Sequence, residues 1–553
     1  MPTPAAQARG ATDVPLLEIT IGAALEATAA RFGEREALVA VQQRVRWSYR
    51  RLDDEVDRVA RGLLARGLAQ GDRLGIWAPN LLEWTLVQFA TAKLGVILVN
   101  INPAYRTHEL AYALRQSGCR ALVSARRFKS SDYTAMVESV RGECPALEEV
   151  IFIDDADAPG DWQRLLHDGD RVPRAEVAAR LAATRADDPI NIQYTSGTTG
   201  MPKGATLSHR NILNNGYFIG RGLNYSERDR VCIPVPFYHC FGMVIGNLAC
   251  IAHGAAMVIP ASGFDPEATL VAIERERCTS LYGVPTMFIA QLAHPRFAST
   301  DTSSLRTGVM AGSPCPIEVM KRCVGEFHMP ELTIMYGMTE TSPVSTQTAT
   351  DDPLDKRVAT VGRVHPHVEI RIVDPLSGEV CERGATGEFQ TRGYSVMLGY
   401  WNDAERTAEA ITPEGWMRTG DLATMDDQGY VNIVGRIKDM IIRGGENVYP
   451  REIEEFLYTH PSIRDVQVIG VPDAKYGEAV MACVILKDGA PALSIEALRE
   501  FCRDAIAHYK VPRYLEIVSE FPMTVTGKVR KIEMRQQAIE SLGLHAAAAQ
   551  KTA

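Results

Sequence analysis

The sequence predicts an α/β protein in two unequal parts: a large N-terminal domain of parallel α/β sheets that carries a small β-barrel-like subdomain, then a small α+β C-terminal domain. Three observations predict it. From Thr20 to Asp154 helical periodicity alternates with short β-branched runs, and the alternation resumes downstream, as parallel α/β units require. From about His365 to Val434 it gives way to short strands punctuated by glycine, the habit of a barrel or an antiparallel sheet. After "GRIKD", Gly435 to Asp439, strand and helix signals restart on their own, which divides the chain into residues 1–435 and 436–553. At 553 residues the chain is also too long for one core.

Taken in order, "IGAALEATAARF" reads as a helix and "EALVAVQ" as a strand. "RLDDEVDRVARGLLARG" is a helix, "RLGIWAP" a strand and "LLEWTLVQFATAKLG" a helix, with "RALVSA" and "EEVIFID" as strands. The buried strands "RVCIPVPF", "AAMVIPA", "SLYGVP" and "LTIMYG" follow, then the shorter "VEIRIVD", "GEFQTRG" and "YVNIVGR". The last domain reads "DMIIRGG", a helix opened by Pro450 in its first turn, "VQVIGVP", "VMACVIL", a helix after Ser494 and "YLEIVSE". No repeat interrupts this order, and the alanine-rich C-terminal tail reads as frayed.

Composition excludes several classes of function. The net charge of −9 offers no clustered positive surface for nucleic acid or an anionic membrane. No run reaches about 18 uncharged apolar residues, so no integral membrane segment is expected. Eleven cysteines without a CxxC pair fit neither a disulfide framework nor a zinc site, and imply a reducing compartment. The first fifteen residues, "MPTPAAQARGATDVP", lack an apolar signal region and make a poor transit peptide, so the expected location is cytoplasmic.

The chemistry begins at "YTSGTTGMPKGATLSH", Tyr194 to His209, where bare backbone N–H groups, hydroxyls and one lysine follow the apolar run "INIQ". Such a loop wraps an anion, di- and triphosphates above all. It is not a Walker P-loop, because Lys203 follows Met201 and Pro202 and precedes Gly204 rather than a Ser or Thr. Nor is it a mere flexible linker: a strand precedes it and "GATLSHRNIL" reads as a helix start behind it.

Five more motifs follow in order: "PFYHCFG" (Pro236 to Gly242), "YGMTE" (Tyr336 to Glu340), "TGD" (Thr419 to Asp421), "GRIKDMIIRGGENVYP" (Gly435 to Pro450) and "PMTVTGK" (Pro522 to Lys528). Together with the glycine-rich loop they resemble the adenylate-forming, AMP-binding superfamily, which holds acyl-CoA synthetases, aryl-CoA ligases, luciferases and peptide-synthetase adenylation domains. The resemblance runs from about residue 20 to 540. In "VMAGSP" and "YSVMLGYW" it comes nearest to the medium-chain fatty acyl-CoA synthetases related to acyl-CoA synthetase family member 2.

The resemblance implies an AMP-forming fatty acid–CoA ligase acting on a medium- to long-chain acid, with ATP, Mg²⁺ and CoA as co-reactants. It makes residues 1–435 the adenylation domain and 436–553 a mobile lid. Thr195, Ser196, Gly197, Thr198, Thr199, Gly200 and Lys203 would cradle the β- and γ-phosphates. Gly312, Ser313, Pro314, Tyr336, Gly337 and Met338 would line the nucleotide, Tyr336 offering its ring to adenine. Thr339 would reach the α-phosphate and Glu340 would hold Mg²⁺. Asp421 and Arg436 would take the ribose and phosphate oxygens. Lys528 would bridge the acyl carboxylate and the α-phosphate, the lid would turn about Lys438, and Gly444 and Gly445 would then face the pantetheine arm of CoA. His239 would orient or gate the acyl group. Cys240 and Cys315 lack an activating partner and read as packing residues.

The implied acyl lining, "CFGMV" after His239, "YGVP" (Tyr282 to Pro285), Met310 to Pro314 and Gly337 with Met338, is apolar and has no charge for an amino acid's ammonium. Val235 and Pro236 stand where amino-acid-activating relatives place an aspartate. An aryl-CoA ligase of the coumarate or benzoate type and a carrier-loading adenylation enzyme remain open alternatives. The assembly state is open too, a homodimer included.

Overall fold

The computed structural model describes residues 4–154, 160–195, 201–313, 315–443, 446–503, 505–524 and 529–548. They fall into two compact units: one joins Ala8–Ile370 with Thr391–Arg418, and the other joins Met1–Gln7, Arg371–Gln390 and Thr419–Ala553. Among the described residues no helix is long and apolar enough to cross a membrane.

The larger unit is α/β, built on two sheets. In the seven-stranded sheet, Ile97–Asn100, Arg73–Trp77, Ala121–Ser124 and Glu149–Phe152 run parallel, and Pro189–Thr195 joins them parallel to Ile97–Asn100. Lys203–Ser208 then turns back antiparallel, followed at the edge by Gly399–Tyr400. In the nine-stranded sheet Glu331–Gly337, Thr307–Ala311, Ser280–Gly283, Arg230–Cys232, Ala256–Ile259 and Glu36–Ala40 are parallel, with antiparallel strands at both edges. Both sheets read as continuous apolar runs because helices cover them. Helix Leu82–Leu94 is buried at every position except Glu83, and one apolar cluster runs through the unit from Ile21 to Met417.

The glycine-punctuated segment supplies four strands of a five-stranded sheet whose first strand is N-terminal, in the order Gln7–Arg9, Val368–Val373, Gly387–Gly393, Met417–Met425, Val431–Arg436. The C-terminal sheet is built around Gly477–Leu486, whose alternation separates two cores. Val480, Ala482 and Val484 pack with Ile453, Leu457 and Leu498, while Ala479, Met481 and Cys483 pack with Met534 and Ala538. The helix opened by Pro450 is Pro450–Leu457, and the one after Ser494 is Ile495–Cys502 with Ser494 as its cap.

Two local expectations are corrected. "GATLSHRNIL" starts a helix only from its second half: Lys203–Ser208 is a strand, and the helix His209–Gly222 begins after Ser208, which caps it in a reciprocal box with Asn211. "RVCIPVPF" forms a strand only over Arg230–Cys232, because Pro234 and Pro236 have no N–H to continue a ladder.

Candidate active site

The strand Pro189–Thr195 and the strand Lys203–Ser208 pair with Thr195 opposite Lys203, so the two ends of the glycine-rich loop are tied together. Ser196, Gly197, Thr198, Thr199 and Gly200 lie outside the described residues. At the loop's mouth Thr195 Oγ1 donates to Glu340 Oε1 at 3.3 Å, and the Lys203 ammonium stands 4.3 Å from the centre of the Tyr400 ring.

Tyr336 and Gly337 end the strand Glu331–Gly337. A Cβ on Gly337 would overlap the carbonyl of Pro343, so only glycine lets the chain turn here into Thr339–Thr341. Met338 is half-buried, Thr339 and Glu340 are buried, and Glu340 is only 4% exposed. Its carboxylate accepts from the Tyr400 hydroxyl at 2.8 Å, and its backbone carbonyl accepts from Met397 N–H at 2.9 Å. Ser342 Oγ donates to the Ser395 carbonyl at 2.6 Å, so residues 395–400 clamp this turn. Burial, then the neighbouring Glu340 charge, pushes the Tyr400 phenol well above its ordinary range and keeps it a donor. Sequence reasoning gave Tyr400 no role, although it lies in the quoted "YSVMLGYW". Among the described residues no group of three His, Cys, Asp or Glu side chains is gathered for a metal ion.

His239 sits in the turn that leaves the nine-stranded sheet. Asn80 holds that turn by donating to the Val235 carbonyl and accepting from Phe237 N–H, both at 2.8 Å, and Asn100 donates to the Tyr238 carbonyl at 3.0 Å. The carbonyl of His239 opens the next helix, accepting from Gly242 and Met243 N–H groups, and its Nδ1 accepts from Phe241 N–H at 3.3 Å. The helix that follows, Phe241–Leu248, is a π-helix of eight fully buried residues. Such widened turns are rare and gather at functional sites. The Tyr282 hydroxyl donates to the Ile245 carbonyl inside it at 3.1 Å and accepts from Tyr225 at 2.7 Å. Cys240 and Cys315 are buried, as packing residues should be, and burial pushes the Cys240 thiol up to about 12. Gly312 adopts φ +90°, a left-handed conformation, and Ser313 beside it is half-buried; Pro314 lies outside the described residues.

In the other unit Asp421 and Arg436 face each other across the strands Met417–Met425 and Val431–Arg436, with Arg436 Nε 3.1 Å from Asp421 Oδ1. Asp421 is buried and Arg436 exposed, so the guanidinium orients a carboxylate that cannot move far. Lys438 is exposed in the turn after Val431–Arg436. Gly444, Gly445 and Lys528 lie outside the described residues.

A tied glycine-rich hairpin whose Thr195 hydroxyl meets the buried Glu340 carboxylate and whose lysine stands over Tyr400, beside an uncharged π-helix wall, is the apparatus of an adenylate-forming enzyme. The chain belongs to the AMP-binding enzyme family, which matches residues 25–401, with the AMP-binding enzyme C-terminal domain matching residues 452–528. It is 45% identical to the medium-chain acyl-CoA ligase ACSF2, mitochondrial, of Danio rerio, over 97% of this chain and 91% of that one. It is 47% identical to the putative acyl-CoA synthetase YngI of Bacillus subtilis strain 168, over 96% of this chain and 99% of that one. The crystal structure of the anthranilate CoA ligase AuaEII with anthranoyl-AMP superposes with a TM-score of 0.86 at 27% identity, covering 96% of this chain and 99% of that one. The chain is an ATP-dependent, AMP-forming acid–CoA ligase.

Proposed function

We propose that the acid is a medium- to long-chain fatty acid, and that the π-helix wall is the observation that carries this reading. Phe241, Met243, Val244, Ile245 and Leu248 are all buried and uncharged, which suits an alkyl chain and leaves no counter-charge for an ammonium group. The name of the Danio relative supports the same class. An aryl acid is the second reading, favoured by the anthranoyl-AMP bound in AuaEII.

In the first half-reaction a carboxylate oxygen attacks the α-phosphorus of ATP and pyrophosphate leaves; in the second the CoA thiol attacks the acyl carbon and AMP leaves. Thr195 and Lys203 bind the departing phosphates, Tyr336 stacks on adenine, Thr339 meets the α-phosphate, and Asp421, oriented by Arg436, takes the ribose hydroxyls. Glu340 would hold Mg²⁺, and the fit is good: a single buried carboxylate with phosphate oxygens is the donor set this ion accepts. When bound, Mg²⁺ neutralises phosphate charge. Lys528 serves the first half-reaction, Gly444 and Gly445 the second, with Lys438 as the hinge, and His239 orients the acyl group between them. A reducing compartment is supported by eleven free cysteines.

The test incubates the protein with Mg-ATP, CoA and a panel of alkyl acids, benzoates and cinnamates, and identifies thioesters by mass spectrometry. Alkyl-CoA with AMP is the expected result. Aryl-CoA alone would replace the substrate class, and acyl-adenylate with untouched CoA would mean that the acceptor thiol lies on a carrier protein. The Lys528→Ala variant should lose adenylation yet still form thioester from preformed acyl-adenylate. Light scattering on the same sample reads whether one copy or two make the working enzyme.

A further inference from the structure

We propose that Tyr400 is a positioning residue that holds Lys203 and Glu340 apart, keeping the ammonium free for phosphate and the carboxylate free for the metal. The proposal rests on the reading of Lys203 and Glu340 given above and adds a third partner to it.

A lysine that opens one strand and a glutamate in the turn after another, both serving the same polyphosphate, have an obvious alternative, which is to neutralise each other. An ion pair in a partly buried site is strong enough to compete with a ligand. Among the described residues no such pair joins Lys203 to Glu340. Tyr400 occupies both instead. Its ring takes the ammonium at 4.3 Å, and its hydroxyl gives Glu340 Oε1 a hydrogen bond at 2.8 Å, which Thr195 supplements at 3.3 Å. Each charge is steadied by a neutral group that a stronger partner can displace.

The tyrosine is itself immobile. It is 6% exposed and pairs with Ala205 in the strand that begins at Lys203. Its N–H donates to Thr407 Oγ1 at 2.9 Å, and the next residue, Trp401, donates to the Gly204 carbonyl at 2.7 Å. Ring and lysine are therefore fixed on adjacent strands, and the hydroxyl reaches from there to the carboxylate.

Tyr400→Phe and Tyr400→Leu in the full-length protein separate the two contacts, because phenylalanine keeps the ring and loses the hydroxyl. Initial rates of AMP formation are measured against Mg²⁺ and against ATP, with thermal melts to show that both variants fold. Tyr400→Phe should raise the Mg²⁺ concentration for half-maximal rate roughly 3- to 10-fold and leave kcat within about threefold. Tyr400→Leu should in addition raise KM for ATP by about 10-fold or more, as Lys203 closes on Glu340. In a Glu340→Gln background the Leu substitution should cost far less in KM for ATP, since the pair can no longer form. Equal KM values in wild type and both variants, or a fall in kcat alone with a lowered melting temperature, would overturn the proposal. If Glu340→Gln by itself leaves the Mg²⁺ dependence unchanged, the metal reading of Glu340 fails. The response of KM for ATP to Tyr400→Leu then still decides whether the ring keeps the two charges apart.

Discussion

Gly242 lies against Pro236 so closely that a Cβ built on it would stand well under 3.0 Å from the Pro236 carbonyl. The glycine therefore lets the π-helix fold back over the turn that carries His239. Gly242→Ala should destabilise the protein by about 1–3 kcal/mol through overpacking. It should also move the chain-length preference, because the helix is the proposed acyl wall. A urea midpoint and a rate profile over alkyl acids of increasing length check both parts; a stable variant with an unchanged profile would remove the helix from the acyl site.

Asn80 holds the same turn from the other side, with one hydrogen bond given to Val235 and one accepted from Phe237. All three residues are buried, so Asn80→Ala strands a carbonyl and an N–H without water. The expected cost is about 2–5 kcal/mol, seen as a lower denaturation midpoint at unchanged slope. Asn80→Asp should be no milder, since a carboxylate cannot donate to the Val235 carbonyl.

The sequence carried what short-range chemistry writes. The six motifs, the strand before the glycine loop, the helix after Ser494 and the first-turn proline Pro450 all depend on neighbours a few residues apart. Sheet membership did not show, because Glu36–Ala40 pairs with Ala256–Ile259 across some two hundred residues, and nothing local to "EALVA" names that partner. The π-helix was invisible for another reason: "FGMVIGNL" is buried on every side, so it has no periodic face to betray its pitch. Tyr400 and Asn80 act through contacts 60 and 155 residues away, beyond any motif.

Acid should unfold the protein earlier than its carboxylates alone require. His209 and His365 are completely buried, and burial lowers each from the ordinary 6.5 to about 3. Between those two values the unfolded chain binds a proton at each histidine that the folded chain refuses. Stability is therefore intact above pH 6.5 and falls as pH drops towards 3, by up to about 1.4 kcal/mol per pH unit for each histidine. His365→Asn should flatten the slope of stability against pH in that interval by about one histidine's share, whatever it does to stability at neutrality. Denaturant titrations at half-unit pH steps measure it, and an unchanged slope would mean that His365 is protonated in the fold.

The acyl group should never rest on a protein sulfur. All eleven cysteines are free, ten are buried, and only Cys381 is half-exposed. Cys240 is the one nearest the chemistry, next to His239, yet burial holds its thiol far above neutral pH, and its sulfur sits 3.1 Å from Gln193 Oε1 as a donor. A thiol that stays protonated is a poor nucleophile. Cys240→Ala should accordingly keep kcat within about threefold and lose about 1 kcal/mol of stability for the vacated volume. In the intact enzyme a small maleimide should label Cys381 first, and labelling there should leave the rate of thioester formation unchanged. Mass spectrometry of enzyme quenched with ATP and acid, before CoA is added, gives the decisive reading. Free acyl-adenylate with an unmodified chain is expected, whereas a peptide carrying the acyl mass at Cys240 would replace the two-step route through AMP with one through an enzyme thioester.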